Sequence, residues 1–475
     1  MPSHLLKYFY ALILILVSNN SFAQKLDLDT FVRHILANNP GVQKILAENN
    51  IAEGTLEASL GVDDGVIGSS LKFAHTEPNQ IIGSELDRSN DALLTLSYDR
   101  TFSEYGTRVS LGYNNQHTSR SPSLSGSLGS SYYQPSFTLG LVQPLLKNAG
   151  GIQDKLNIKV NSLNLKLAKL NSKENLESYI TQLAGLYLDW YLASRELAIS
   201  KEVYEQVLAQ ENLTRTKVER QVIEEHELLR VQETKEDYYS RLQQAMGRYE
   251  GLTHQIKYQM NLSVEHNENI EPKNPKTTSL LQPKLRKEGY LTSISRLKII
   301  LDNLAQQQVL LLDAKGNSKK SDLNLNLAYT HHGEDTSYQD TDKNDVSLMV
   351  EYKKPLGNRT ATGNYAVQLA KKDQIESDTK QRLINAEASL ANLQSQIKSI
   401  FIAIKATERK INIATKKLKH EQRLFEIGNL DLFELLKDEA TQLESRLAKE
   451  KLYNQLFTLR LNIGELLDLN LKEMD

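Results

Sequence analysis

Few side chains in this chain of 475 residues are spaced for catalysis or for holding a metal. His331 and His332 precede Gly333, Glu334 and Asp335, in a segment that also carries Asp340 and Asp342. Adjacent residues at a strand–loop junction point apart, and no histidine stands four residues away, so the pair reads as solvated loop rather than a ligand set. In EEHE, Glu224 to Glu227, a single histidine sits at a predicted helix tip, where a zinc helix needs two. GIQDK and GNYA lack the spacing of a phosphate loop, and no Gly-x-Ser-x-Gly is present. The carboxylates are scattered along helix faces as a solvated exterior, and Trp190 fits a packed helical seam better than a ligand stack. With no cysteine there are no disulfides, no thiolate metal ligands, no cysteine nucleophile and no N-terminal lipid on cysteine. A net charge of -2 with no basic stripe gives no footprint for nucleic acid. The expectation is a protein that is not an enzyme and needs no cofactor or metal.

The elements explain the chain better than any single residue does. Lys7, the apolar run FYALILILV and small Ser21 and Ala23 read as a signal peptide cut after residue 23. No later run is long and apolar enough for a membrane helix, so entry into a membrane requires a β-barrel. Helical patterns cover about 26–59, 154–221 and 225–262, then about 285–314, 360–426 and 432–467. Asp29 or Thr30 can cap the first, and Pro40 suits the first turn of a resumed helix. Leu176, Ile180, Leu183, Tyr187 and Trp190 follow a coiled-coil seam continued by Leu197 and Tyr204, as do Leu383, Ala386, Leu390, Leu393, Ile397, Ile400 and Ile404. The Pro-containing segment 263–284 is a linker or an irregular edge.

Two regions change to a period of two, about 66–143 and about 322–353. Leu94, Leu96, Tyr98 and Phe102 alternate with polar residues, as do Val109, Leu111 and Tyr113, and Phe137, Leu139 and Leu141. The segment around Leu71 and Phe73 is a weaker fourth run. Leu323, Leu325, Leu327 and Tyr329 form one run in the second region, and Val346, Leu348, Val350 and Tyr352 another. A tight SEYG turn and long polar loops fit an outer-membrane barrel; a soluble sheet with one wet face fits the strand pattern equally. Tyr98, Phe102, Tyr105, Tyr113, Tyr329 and Tyr352 suit either interfacial belts or ordinary cross-strand packing.

The programme occurs twice. LVQPLLKNAGG, with Pro144 and Leu145, is echoed in VEYKKPLGNRT, with Pro355, Leu356 and Gly357. ELLR is echoed as ELLK: Leu228 lies 84 residues after Pro144, and Leu435 lies 80 after Pro355. Wall helices of ~65 to 70 residues reach roughly 100 Å, and matched lengths suit a tube. Four to six strands per chain fall short of the about eight that the smallest single-chain barrels use, so several copies must share one ring. Three copies give twelve strands at four each or eighteen at six each. The expected class is an α+β membrane protein with a duplicated helix, β-hairpin, long helix, helix repeat: residues 24–262, then 263–284, then 285–475.

LDLDTFVRHILANNPGVQ, LVQPLLKNAGG, VEYKKPLGNRTATGNYA and LFEIGNLDLFELLKDEATQL, in that order, resemble the TolC-like outer-membrane efflux proteins over essentially the whole mature chain. The resemblance implies a homotrimer whose β-barrel crosses the outer membrane and whose α-helical coiled-coil barrel crosses the periplasm. It further implies a passive exit duct, working with a periplasmic adaptor and an inner-membrane pump of RND or ABC type, in tripartite efflux or type I secretion. Adaptor docking is then expected at the helix tips, Gln221 and Val222 in the first repeat and Gly428, Asn429, Leu430 and Asp431 in the second. The periplasmic aperture falls near Lys419, His420 and Glu421. The chain departs from the family pattern in three places. Gln221 stands where a tip glycine is usual, which implies another turn geometry or a displaced tip. Glu421 is the lone acid in its stretch, where the family often has more. The first β region is long, so either the barrel exceeds the family norm or the SEYG hairpin stands outside it. The alternative class is a coiled-coil surface adhesin without transport, which leaves the matched spacings unexplained.

Overall fold

The computed structural model describes residues 24–77, 88–121, 131–262, 270–283, 289–333, 343–427 and 429–472. The signal peptide, Glu334, Asp335, Asp340, Asp342, Gly428 and parts of the polar loops and of the 263–284 segment lie outside them. The strands are β1 Gln24–Leu26, β2 Val66–Thr76, β3 Arg88–Phe102, β4 Thr107–Ser121, β5 Ser131–Pro144, β6 Ile270–Pro272, β7 Asp322–His332 and β8 Lys343–Lys353. The α-helices are α1 Leu28–Asn38, α2 Pro40–Leu60, α3 Leu156–Glu219, α4 Glu225–Gln259, α5 Tyr290–Ser293, α6 Arg296–Asn317, α7 Arg359–Glu426 and α8 Leu432–Leu466. The 64-residue α3 and the 68-residue α7 are each followed by a helix of 35 residues. No helix among the described residues is long and apolar enough to cross a membrane.

The chain divides into two compact units. One comprises residues up to Ala47, Leu170–Ile299 and Gln381–Asp475. The cap of α1 is Asp27, rather than Asp29 or Thr30: its carboxylate accepts from Thr30 N–H at 2.8 Å. Phe31, Val32 and Ile35 of α1 pack with Ile180, Leu183, Tyr187 and Trp190 of α3, and with Leu280, Leu281, Phe457 and Leu461. The described part of 263–284 is therefore a packed edge rather than a free linker. There β6 pairs in parallel with β1, and the buried Tyr187 hydroxyl donates to Leu26 O at 2.7 Å. Trp190 is fully buried, donates from Nε1 to Thr253 Oγ1 at 2.8 Å and stacks on Tyr249. Past Trp190 the seam shifts: Ile199, Val203 and Val207 are buried, while Tyr204 is only partly so. A straight helix drifts about 20° per heptad from a strict seven-residue seam, so the buried stripe moves to other positions.

The other unit, Glu48–Lys169 with Ile300–Lys380, contains one six-stranded antiparallel sheet, ordered β2-β3-β4-β5-β7-β8. The SEYG hairpin joins β3 to β4 inside this sheet, with unbroken pairing from Arg88↔Ser121 to Phe102↔Thr107. The single chain therefore holds all six strands of this sheet. His331 and His332 belong to β7, not to a loop: they pair with Asn344 and Lys343 of β8.

Candidate channel wall, corners and helix tips

Alternation along each strand and the register between strands fix what each sheet face carries. One row across the sheet reads Ile67, Tyr98, Leu111, Leu139, Tyr329 and Val346. A flanking row carries Val109, Leu141, Leu327 and Leu348, with Arg100 at its β3 end, and on the other side Leu96, Tyr113 and Phe137 align. The opposite face carries Asp99, Ser110, Gly140, Ala328 and Ser347, then Ser97, Gly112, Thr138, Thr330 and Asp345. Polar groups on that face bond each other: Thr118 donates to Asp91 at 2.6 Å, and Thr138 and Thr330 hydroxyls lie 3.2 Å apart. The apolar face is uncovered in the single chain; Ile67 is 82% exposed and Val346 73%. A continuous exposed apolar patch of this kind marks a surface that meets lipid or another protein. Strands of 11 to 15 residues meet or exceed the about 9 to 11 that a tilted crossing needs. Among the aromatics, Tyr98 and Tyr329 share one row and Tyr113 aligns with Phe137 in the next. Phe102 and Tyr352 lie toward the turn end of their strands, and Tyr105 sits in the turn itself.

At the first corner Pro144 is buried and still faces Asn324 of β7, and Leu145 N–H donates to Leu323 O at 2.7 Å. Asn148 then takes φ 62°, and its backbone N–H donates to Asn317 Oδ1 at 2.9 Å. Its side chain donates to Asp154 and accepts from Gln153 N–H, fixing the start of α3. Gly151, at φ 65°, lies so near Ser103 that a Cβ there would stand 1.6 Å from Ser103 O. At the second corner Pro355 and Gly357 are exposed and Leu356 is 99% exposed. Gly357 has φ 94° with open space where a Cβ would be, and Asn358 donates to Lys319 O at 2.8 Å.

At the first tip Gln221 adopts φ 58°, with Gln221 N–H donating to Val218 O and Val222 N–H to Lys217 O. That bond pair is the Schellman closure usually built on glycine. The different geometry or displaced tip expected at Gln221 is thus not what the chain adopts: glutamine takes the left-handed position itself. Val222 is exposed. At the second tip Asn429 N–H donates to Leu424 O, Leu430 packs partly on the core, and Asp431 caps α8 by accepting from Phe433 N–H at 3.0 Å. Lys217 ties the tips together: its Nζ donates to Phe425 O at 2.6 Å and lies 3.9 Å from the Phe425 ring centre. Burial pulls the Lys217 pKa below the usual lysine range.

Lys419, His420 and Glu421 do not form one cluster. Lys419 and His420 are exposed, whereas Glu421 is buried beside Lys417 at 3.3 Å, and Lys417 also bonds Asp438. Burial, then a hydrogen bond donated to Asp438, raises the Glu421 pKa; hydrogen bonds accepted from Glu421 and Lys417 lower that of Asp438. Burial pushes Glu439 on α8 up to about 7. Sequence reading also missed a buried ion cluster. Arg296 stands 3.1 Å from Glu174, 3.4 Å from Glu177 and 3.8 Å from Asp468. Burial pushes Glu177 up to about 7 against the pull of Arg296.

No family model matches the chain, and no curated protein matches it in sequence. Solved structures match along nearly its whole length. CusC, whose structures concern folding and transmembrane channel formation, aligns with a TM-score of 0.69 at 12% identity, over 94% of this chain and 93% of that one. VceC, an outer membrane protein of Vibrio cholerae, aligns with 0.69 at 11% identity, over 93% and 95%. The fold is that of the TolC-like outer-membrane channels. The CmeC outer membrane channel of Campylobacter jejuni aligns with 0.66 at 13% identity, over 93% and 85%. On this TolC-like fold the two Pro-Leu corners stand where sheet gives way to α3 and α7, and the tips stand where those helices turn into α4 and α8.

Proposed function

We propose that the chain is the outer-membrane channel of an efflux or secretion machine. Three copies place their sheets side by side as a barrel in outer-membrane lipid, and the long helices continue it as a periplasmic tunnel. Residues 1–23 direct export. The two repeats, 24–262 and 285–475, supply corners at Pro144 and Pro355. The tips at Gln221–Val222 and 428–431 receive a periplasmic adaptor, through which an inner-membrane pump drives cargo in tripartite efflux or type I secretion. The observation that carries this reading is the uncovered apolar face spanning all six strands, backed by a hydrogen-bonded polar face. A soluble sheet hides its apolar face on a core; this one has lipid as its natural cover and water in the lumen. The same face argues against an adhesin built on coiled coils alone.

Cell fractionation and planar-bilayer recording test it. The expected result is a heat-modifiable trimer in the outer membrane and discrete conductance steps from the purified protein. A monomer in the soluble periplasm overturns the reading.

A further inference from the structure

The sheet has two open edges, β2 and β8, each 11 residues long. Open edges of this length ordinarily carry protection: a proline, a bulge, or charges pointing into the apolar side. Neither edge has it. On β2 the apolar face presents Ile67, Leu71 and Phe73, with Phe73 74% exposed; on β8 it presents Val346, Leu348, Val350 and Tyr352. Lys72, Asp345 and Glu351 lie on the polar face, and His75, Lys343 and Lys353 only at or next to the strand ends. The apolar band therefore runs off both edges without a border. An unbroken antiparallel order of six strands makes β2 and β8 run in opposite directions. Joined to β2 of a second copy, β8 continues the antiparallel ladder and keeps apolar and polar faces aligned. Leu356, just past β8, is fully uncovered in the single chain, and such a seam places a neighbour beside it.

We propose that β8 of each copy pairs with β2 of the next, so that three copies close an eighteen-strand barrel. This deepens the channel reading and rests on it. The SEYG hairpin is then wall, not appendage. At about 4.8 Å between strands and a tilt of about 40°, eighteen strands give a backbone diameter of about 36 Å, against about 24 Å for twelve. Barrels of 16 to 18 strands hold an open aqueous bore. The membrane section is thereby wide enough for polypeptide-sized cargo, and size selection falls to the helical section.

The absence of native cysteine makes the seam directly readable. Cysteines are placed singly at Gly68, Ser70 or Lys72 on β2 and at Ser347, Met349 or Glu351 on β8, all on the polar face, and combined in all pairs. A second panel pairs the same β8 positions with Gly112, Asn114 or Gln116 of β4, the edge that a twelve-strand barrel of β4, β5, β7 and β8 would use. Each variant is oxidised in outer membranes and run on denaturing gels without reductant. Its heat-modifiable trimer, before oxidation, reports assembly. The expected result is covalent trimer from at least one β2–β8 pair, in more than half the chains, and none from β4–β8. Bridging through β4, or no β2–β8 bridge in variants that do form trimers, overturns the seam and leaves the channel standing. If the unsubstituted chain forms no trimer in the membrane, both fall.

Discussion

The two strand-to-helix corners share a Pro-Leu signal but are held in opposite ways. The first follows β5, a strand with neighbours on both sides, and is enclosed: Pro144 is buried, Asn148 makes four polar contacts, and Asp63 grips Ser103 through backbone N–H at 2.6 Å and hydroxyl at 2.7 Å. The second follows β8, an edge strand, and its one side-chain bond is Asn358 to Lys319 O among those described. Neither proline has an N–H to give a ladder: Pro144 is the last residue of β5, and β8 ends at Lys353, two residues before Pro355. What the surrounding sheet then does with the chain differs. An interior corner must fit its neighbours within one chain, whereas an edge corner is left for whatever completes the sheet.

Substituting the glycines should expose that difference most strongly. Gly151→Val puts a side chain into Ser103 O and forces a strained φ, so a loss of about 3 to 5 kcal/mol is expected. Gly357→Ala keeps only the backbone strain, about 1 kcal/mol, since nothing crowds its Cβ. Yield of the proposed trimer and the temperature at which it dissociates measure both; equal losses would mean that the corners are equally enclosed.

The tips carry the comparison to the other ends of α3 and α7. Lys217 in the first half holds the second-half tip through Phe425 O and the Phe425 ring. Lys217→Met keeps the apolar stem and removes both contacts, with an expected cost of about 2 kcal/mol. Amide exchange should quicken at residues near Phe425 and stay unchanged at the sheet; unchanged exchange at Phe425 would show that the tips are held independently.

The same ends differ in titration. Counting between ELLR and ELLK, Glu439 corresponds to neutral Gln232, and Glu439 is raised to about 7 by burial. A carboxyl raised in the fold favours the folded state below the ordinary glutamate value of about 4.5, and that contribution is lost as pH rises to about 7. Glu439→Gln should flatten the pH dependence of tip stability across that window, read by limited proteolysis at the tips. A slope that persists in the variant would assign it to Glu177 or Glu421 instead.

The legible parts of this molecule are those whose physics repeats at short range. Period-two runs such as Leu94, Leu96 and Tyr98 stand out because alternate positions are apolar several times in succession. The β2 run was fainter, as Gly68, Ser69 and Ser70 dilute it. Long-range choices left no trace. Glu177 and Arg296 are 119 residues apart, and each alone reads as a charge on a helix face. Whether the SEYG hairpin joined the sheet depended on the register of β3 with β4 and β5, which alternation cannot specify. The environment of Glu421 was equally hidden, because Lys417 and Asp438 draw it away from its exposed neighbours.

Gln221 gives the finest test of how the halves differ. At φ 58° it holds a Schellman turn for which glycine has no steric penalty and glutamine has one. If only the turn mattered, Gln221→Gly would stabilise the tip by about 0.5 to 1 kcal/mol, the left-handed cost less the extra freedom glycine has when unfolded. The same change removes an exposed polar side chain from the surface proposed to meet the adaptor. Thermal melting and adaptor pull-down therefore separate two roles: a higher melting point with unchanged capture makes Gln221 a tolerated residue, and a higher melting point with weakened capture makes it a contact that accepts strain for binding. A lower melting point would show that its side chain, rather than its backbone, holds the turn.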